Sequence, residues 1–270
     1  MTNFQITIKA KADVIELVKQ GEDWKVMANK KTFNADKAFI ASLIDQLEML
    51  KPQRVVATSK DKWKEYEVDD SASAKLAVYE GDEQVANLAI GKFNFKQSPN
   101  PYMQRQSITS FVRMIGETDV YAVDGMLSLS FMRGADDYRD KTIVKAKVTD
   151  INKITFTYPA DSSFVIEKKN DKWFLQGNAI DSASIQGYLN QFSNLSTYDI
   201  LDERLVTNKT PLYAMKIESA LSKPVEVFAY PSDTVNGTII ESSVNKGTFF
   251  SGLKSGIQAN LFVSKSKFSN

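Results

Sequence analysis

The chain has 270 residues, with 34 lysines and arginines against 33 aspartates and glutamates, and a net charge of +1. That length suits two domains better than one core, and so small a charge supplies no global field for nucleic acid or an anionic membrane. There is no cysteine and no histidine, which excludes disulfides, thiolate sites, most hydrolytic triads and most zinc centres.

Alternation of apolar and polar residues marks strands at 4–9, 14–20 and 24–28, with Gly21-Glu22-Asp23 as hairpin-turn material. Ile40, Leu43, Ile44, Leu47 and Leu50 recur at the spacing of one helical face, so a helix is predicted over about 35–50. Asp36 stands at its start, where a carboxylate caps free amides, and Pro52 ends it. Residues 53–58 read as a strand and 60–65, charged around Trp63, as a loop. Short strands are expected at 66–68, 75–79 and 85–90.

Residues 93–105 break this rhythm, because two prolines and two asparagines deny regular structure. The expectation is a long loop, either folded back on its own sheet or contacting a partner. Phe93, Phe95 and Tyr102 are its candidate partner-binding residues. A strand pair follows at 107–115 and 120–123, then a short buried helix at 126–132 and a solvated inter-domain connection at 134–141. Asp136, Asp137 and Asp140 invite a calcium site there, but the spacing fits no EF-hand and Arg139 and Lys141 would oppose a cation.

The second half begins with strands at 142–148 and 151–158. A hairpin at 164–169 and 173–176 and a helix at 181–195 come next. Further strands are expected at 200–206 and near 212–218, 224–230, 238–244, 247–253 and 259–264. Ser251-Gly-Leu-Lys254 matches S-x-x-K, but it lies in a strand pattern without its companion motifs.

The two halves resemble each other. Trp24 matches Trp173, Asp36 matches Asp181, and the first helix face matches Ile185, Tyr188, Leu189, Phe192 and Leu195. Backwards, Ile6-Thr7-Ile8 matches Ile154-Thr155-Phe156. Forwards, Tyr66 and Val78 pair with Tyr213 and Val227, and Phe111-Val112 with Phe249-Phe250. Such a repeat implies a duplicated fold, with both tryptophans at equivalent places beside their helices.

Several motifs carry a family resemblance: Asp23-Trp24-x-Val26, Ala35-Asp36, the L-I-x-x-L-x-x-L helix at 43–50 and Ala89-Ile90-Gly91-Lys92. Asp119-Val120-Tyr121 and Tyr138-Arg139-Asp140-Lys141, ahead of the second W-x-L unit, complete the set. From about residue 14 to 205 the chain resembles the bacterial domain-of-unknown-function 4340 family. The resemblance implies a membrane-anchored protein with one N-terminal helix and an extracytoplasmic body, encoded beside gliding-type ABC transporter components. It carries no catalytic residues. This sequence lacks the anchor, which is expected to have been removed or never to have existed. No stretch approaches the roughly 20 apolar residues of a membrane-spanning helix.

The expectation is therefore an α+β protein of two tandem similar subdomains, each a mainly antiparallel sheet with one principal helix. The first spans 1–148, including the 93–105 loop and the 126–141 connection, and the second 149–270. The expected function is a non-catalytic extracytoplasmic accessory or interaction module of an ABC-transporter or cell-envelope complex. It would use no cofactor and no metal, bind a protein partner and no nucleic acid, and touch the membrane only through the missing anchor. The alternatives are a periplasmic protein binding a small ligand in a cleft between the subdomains, and a hydrolase whose Asp/Glu pair meets only in the fold.

Overall fold

A computed structural model describes residues 4–10, 13–96, 107–201, 210–232 and 237–268. Antiparallel strands dominate it, and the chain divides into two compact units, Met1–Asp140 and Lys141–Asn270. In the first, period-two alternation builds a meander of β1 (Phe4–Ala10), β2 (Asp13–Gln20), β3 (Asp23–Ala28) and β4 (Lys31–Asn34). Asn29 and Lys30 join the last two with φ of +50° and +62°, the left-handed pair whose turn matches strand twist.

Helix α1 (Lys37–Glu48) starts where the Asp36 carboxylate accepts from the amides of Ala38 and Phe39, each at 3.0 Å. It packs Ile40 and Leu43 into the core and leads to β5 (Pro52–Ala57) at the far edge of the sheet. The chain then returns to the centre. β6 (Ala74–Glu80) pairs with β1, and β7 (Glu83–Lys96), β8 (Ser107–Met114) and β9 (Val120–Asp124) follow outwards. The resulting order is β4-β3-β2-β1-β6-β7-β8-β9-β5. Two short helices, α2 (Leu127–Phe131) and α3 (Ala135–Tyr138), complete the unit.

The second unit opens with β10 (Thr142–Val144) and then repeats the plan. Its meander is β11 (Ile151–Thr157), β12 (Phe164–Lys169), β13 (Lys172–Leu175) and β14 (Asn178–Ala179). Helix α4 (Ser182–Asn190) leads to β15 (Leu195–Ser196), which pairs with β10, and to β16 (Ile200–Leu201). Strands β17 (Tyr213–Ser219), β18 (Val225–Pro231), β19 (Thr238–Ser242) and β20 (Phe249–Ser251) follow, and α5 (Ile257–Leu261) packs into the core. The order β14-β13-β12-β11-β17-β18-β19-β20-β16 reproduces the first sheet strand for strand.

The repeat also holds at residue level. Trp24 lies opposite Lys19 and Trp173 opposite Lys168. The carbonyl of each tryptophan accepts from the residue just before its helix cap, Ala35 at 3.0 Å and Ile180 at 2.9 Å. The forward half of the sequence match, however, is one strand out. Val78 sits on β6, whose counterpart β17 carries Ile217, not Val227; Phe111-Val112 on β8 corresponds to β19, not to Phe249-Phe250 on β20. Every strand of a meander alternates with the same period, so the pattern reads equally well after a shift of one strand.

Other expectations change as well. Residues 66–68 form no strand, 66 and 67 being in a turn, and 257–261 are helical where a strand was expected at 259–264. The stretch after Gly91 stays in β7 as far as Lys96, paired with β8, because its prolines lie further on. The segment 134–141 is no solvated connection. Tyr138 is fully buried, with its hydroxyl donating to the Ser130 carbonyl at 2.8 Å, and Arg139 is 5% exposed. The unit boundary lies at 140/141, earlier than 148/149, since Ile143 and Val144 are buried in the second core.

Candidate functional site

The two faces of the first sheet differ. One carries the main core, where Ile6, Ile8, Leu76 and Val78 meet the face of α1. On the other face a smaller core, built on Phe111, Val120 and Ala122, lies beneath the segment joining β5 to β6. That segment adds Trp63, Tyr66 and Val68, and it covers β8 and β9. Its seating requires a glycine. A Cβ on Gly91 would lie 2.2 Å from the Tyr66 carbonyl oxygen and 2.8 Å from a Val68 methyl. The same carbonyl accepts from the Lys92 amide at 3.1 Å.

Where this cover ends, the outer face of β1, β6 and β7 is open, and a trough of about 500 Å³ runs along the boundary. Thr7 and Lys9 line it from β1, Lys75 and Tyr79 from β6, Asn87 from β7, and Lys60 and Trp63 from the covering segment. It continues towards β2 past Glu16 and Asp82. The Gln84 amide donates to the Tyr79 hydroxyl at 2.8 Å.

Arg113 anchors the wall. It is 3% exposed, stacks on Trp63 with its guanidinium carbon 3.7 Å from the ring centroid, and donates from Nη2 to the Val68 carbonyl at 3.2 Å. Burial pulls its pKa down, partly offset by the charge of Asp70. The Trp63 indole donates to the Thr118 carbonyl at 2.9 Å. Asp70 is the lining acid beside these cations; it pairs with Lys75 at 2.8 Å, and that hydrogen bond and charge hold its carboxyl below the usual range. Lys9 stands directly opposite Lys75 on the neighbouring strand. Among the described residues neither Lys9 nor Lys60 makes an ion pair; Lys60 lies over the Trp63 ring at 5.6 Å.

The residues singled out by sequence lie elsewhere. Phe93 is half-buried opposite Ser110, so both side chains leave the same sheet face, and Ser110 Oγ accepts from the Leu127 amide at the start of α2 at 3.0 Å. Phe95, two residues on, leaves that face and is 52% exposed. Tyr102 lies outside the described residues. Asp136 is paired with Arg139 at 2.7 Å, and among the described residues no group of three or more acids is placed to hold a metal. Ser251 is fully buried, accepting from the Lys254 amide at 3.2 Å, which gives no exposed nucleophile. Sequence reasoning missed the trough, because its residues come from four strands and a loop that only the register brings together.

The resemblance-bearing motifs meet within the first unit. Tyr138-Arg139-Asp140 pairs with the end of β4: the Asp36 amide donates to the Tyr138 carbonyl at 2.9 Å and the Asp140 amide to the Asn34 carbonyl at 2.8 Å. Arg139 stacks 3.6 Å over Phe33 and the Tyr138 ring lies 5.7 Å from Phe39. These motifs form a clasp closing the sheet edge, which is a structural role.

Fold and site together define a tandem-repeat, sheet-built protein with a polar trough on one copy. The chain belongs to the family described as Domain of unknown function (DUF4340), whose family model matches residues 24–215. No curated protein and no solved structure matches it.

Proposed function

We propose that this chain is a non-catalytic, extracytoplasmic accessory module that engages a protein partner, a transporter or cell-envelope component. We read its two sheets as copies of one α+β unit, served by α1 and α4. The setting comes from the family resemblance. The observation that carries partner binding is the apolar group left in solvent on the α2 face of the first sheet. Phe95, Met126 and Leu129 are 52%, 39% and 48% exposed there, and large exposed aromatic and aliphatic side chains on a rigid scaffold are the usual anchors of protein contacts. The trough supports a binding role over a hydrolytic one, since Asp70 is committed to Lys75 and is the one acid among the described residues lining the part beside Trp63.

Replacing Phe95 and Leu129 by alanine tests this. The paired variant is expected to lose recovery of its partner from detergent-solubilised envelope membranes. Its melting temperature should fall by no more than about 2 °C, as for exposed side chains. Undiminished recovery contradicts the reading.

A further inference from the structure

We propose that the trough of the first unit receives an acidic segment of the partner protein, its carboxylates held by Lys9 and Lys60. This rests on the reading that the chain binds a protein.

The first argument is charge. Lys9 and Lys60 line the trough and, among the described residues, make no ion pair, while the nearby Asp70 is taken by Lys75. The second is the placement of Lys9. Like charges directly opposite on neighbouring strands destabilise a sheet, and Lys9 is directly opposite Lys75. Asp70 offsets that repulsion on the Lys75 side; a bound carboxylate would do so for Lys9, which makes no ion pair among the described residues.

The second unit serves as an internal control. At the matching place β11 and β17 set Thr157 opposite Ala214, with no charge on either. The cations on that face are answered within the sheet: Lys153 and Lys216 lie 3.5 Å and 3.7 Å from Glu218. The same scaffold thus pairs these lysines in one copy and, among the described residues, leaves Lys9 and Lys60 without an ion pair in the other.

The form of the ligand follows from the walls. Arg113 stacks on Trp63 at 3.7 Å, so the indole is a poor platform for a sugar ring. The concavity runs from β7 across β6 and β1 to β2, about 14 Å at the usual strand spacing, which is the reach of roughly four extended residues. Glu16 and Asp82 line the concavity on the β2 side of Lys9, so the acidic end of a segment belongs on the other side, between Lys9 and Lys60.

Titrating hexaglutamate into the full chain, followed by amide NMR and thermal melting, tests the assignment. Shifts are expected in β1 and β6, with binding that weakens as salt rises. Lys9→Gln and Lys60→Gln are each expected to weaken it about tenfold, the scale of losing one charge contact. Lys216→Gln in the second unit should leave it unchanged. Lys9→Gln should also melt no lower than the parent, which separates lost binding from lost folding. Absence of binding, equal weakening by Lys216→Gln, or tighter binding of oligogalacturonate than of hexaglutamate overturns the proposal. If hexaglutamate fails while recovery of the membrane partner still depends on Phe95, the trough assignment falls and the module reading stands. If hexaglutamate binds as described while partner recovery ignores Phe95, the trough keeps its acidic ligand and the Phe95 surface is not where the partner is held.

Discussion

Gly91 shows how one residue decides what the first sheet's outer face becomes. The segment joining β5 to β6 lies on β7 only because no Cβ stands between them. Gly91→Ala must push the Tyr66 carbonyl away or bend the strand, and overpacking of this kind costs about 1–3 kcal/mol. Gly134 offers the contrast, with nothing within 4 Å of its added Cβ and φ of −76°. Gly134→Ala is expected to change stability by no more than about 0.5 kcal/mol. Urea denaturation of the two variants checks this, and equal losses would mean that the covering segment does not rest on Gly91. The glycine stood out in the sequence as part of a resemblance, but its reason did not, because the atoms it avoids lie more than twenty residues earlier in the chain.

At the scale of elements, the helices were legible for local reasons. Cap and apolar face are written within about fifteen residues, so both helices start where expected; α1 also ends near its terminator Pro52, whereas α4 stops at Asn190 and Leu195, expected on its face, lies in β15. The cap of α4 carries a pH dependence. The Ser184 amide and then its hydroxyl donate to Asp181 at 2.9 Å and 3.1 Å, which holds that carboxyl below its usual range. A depressed acid contributes stability above its unfolded pKa of about 3.9 and loses it as pH falls through the lower folded value. Asp181→Asn is thus expected to flatten the acid limb of the stability curve below about pH 4 and to leave its shape at pH 7 unchanged. An unaltered acid limb contradicts the cap's role. The strands were legible as strands, yet their partners were not. β5 and β16 leave for the far edge, so the next strand returns to the centre, and alternation alone says nothing about that return. The loop expected at 93–105 failed in its first four residues because proline forbids ladder pairing only where it stands.

For the whole molecule, the duplication was visible in sequence as far as the second helix and then lost register by one strand. The candidate site was not visible at all. Lys9 and Lys75 are ordinary surface lysines until β1 and β6 set them face to face. The aromatic residues at 93 and 95 drew notice because they break a local pattern, and one of them, Phe95, does stand in solvent. One nine-stranded plan occurs twice, with a return from the far edge to the centre in each copy. Cross-strand NOEs test it most directly. The account predicts contacts between Ile8 and Leu76 and between Val55 and Tyr121 in the first unit, and between Phe156 and Met215 and between Ile200 and Phe250 in the second. If either unit lacks its central or its edge pairing, the two sheets do not share a plan and the claim is contradicted.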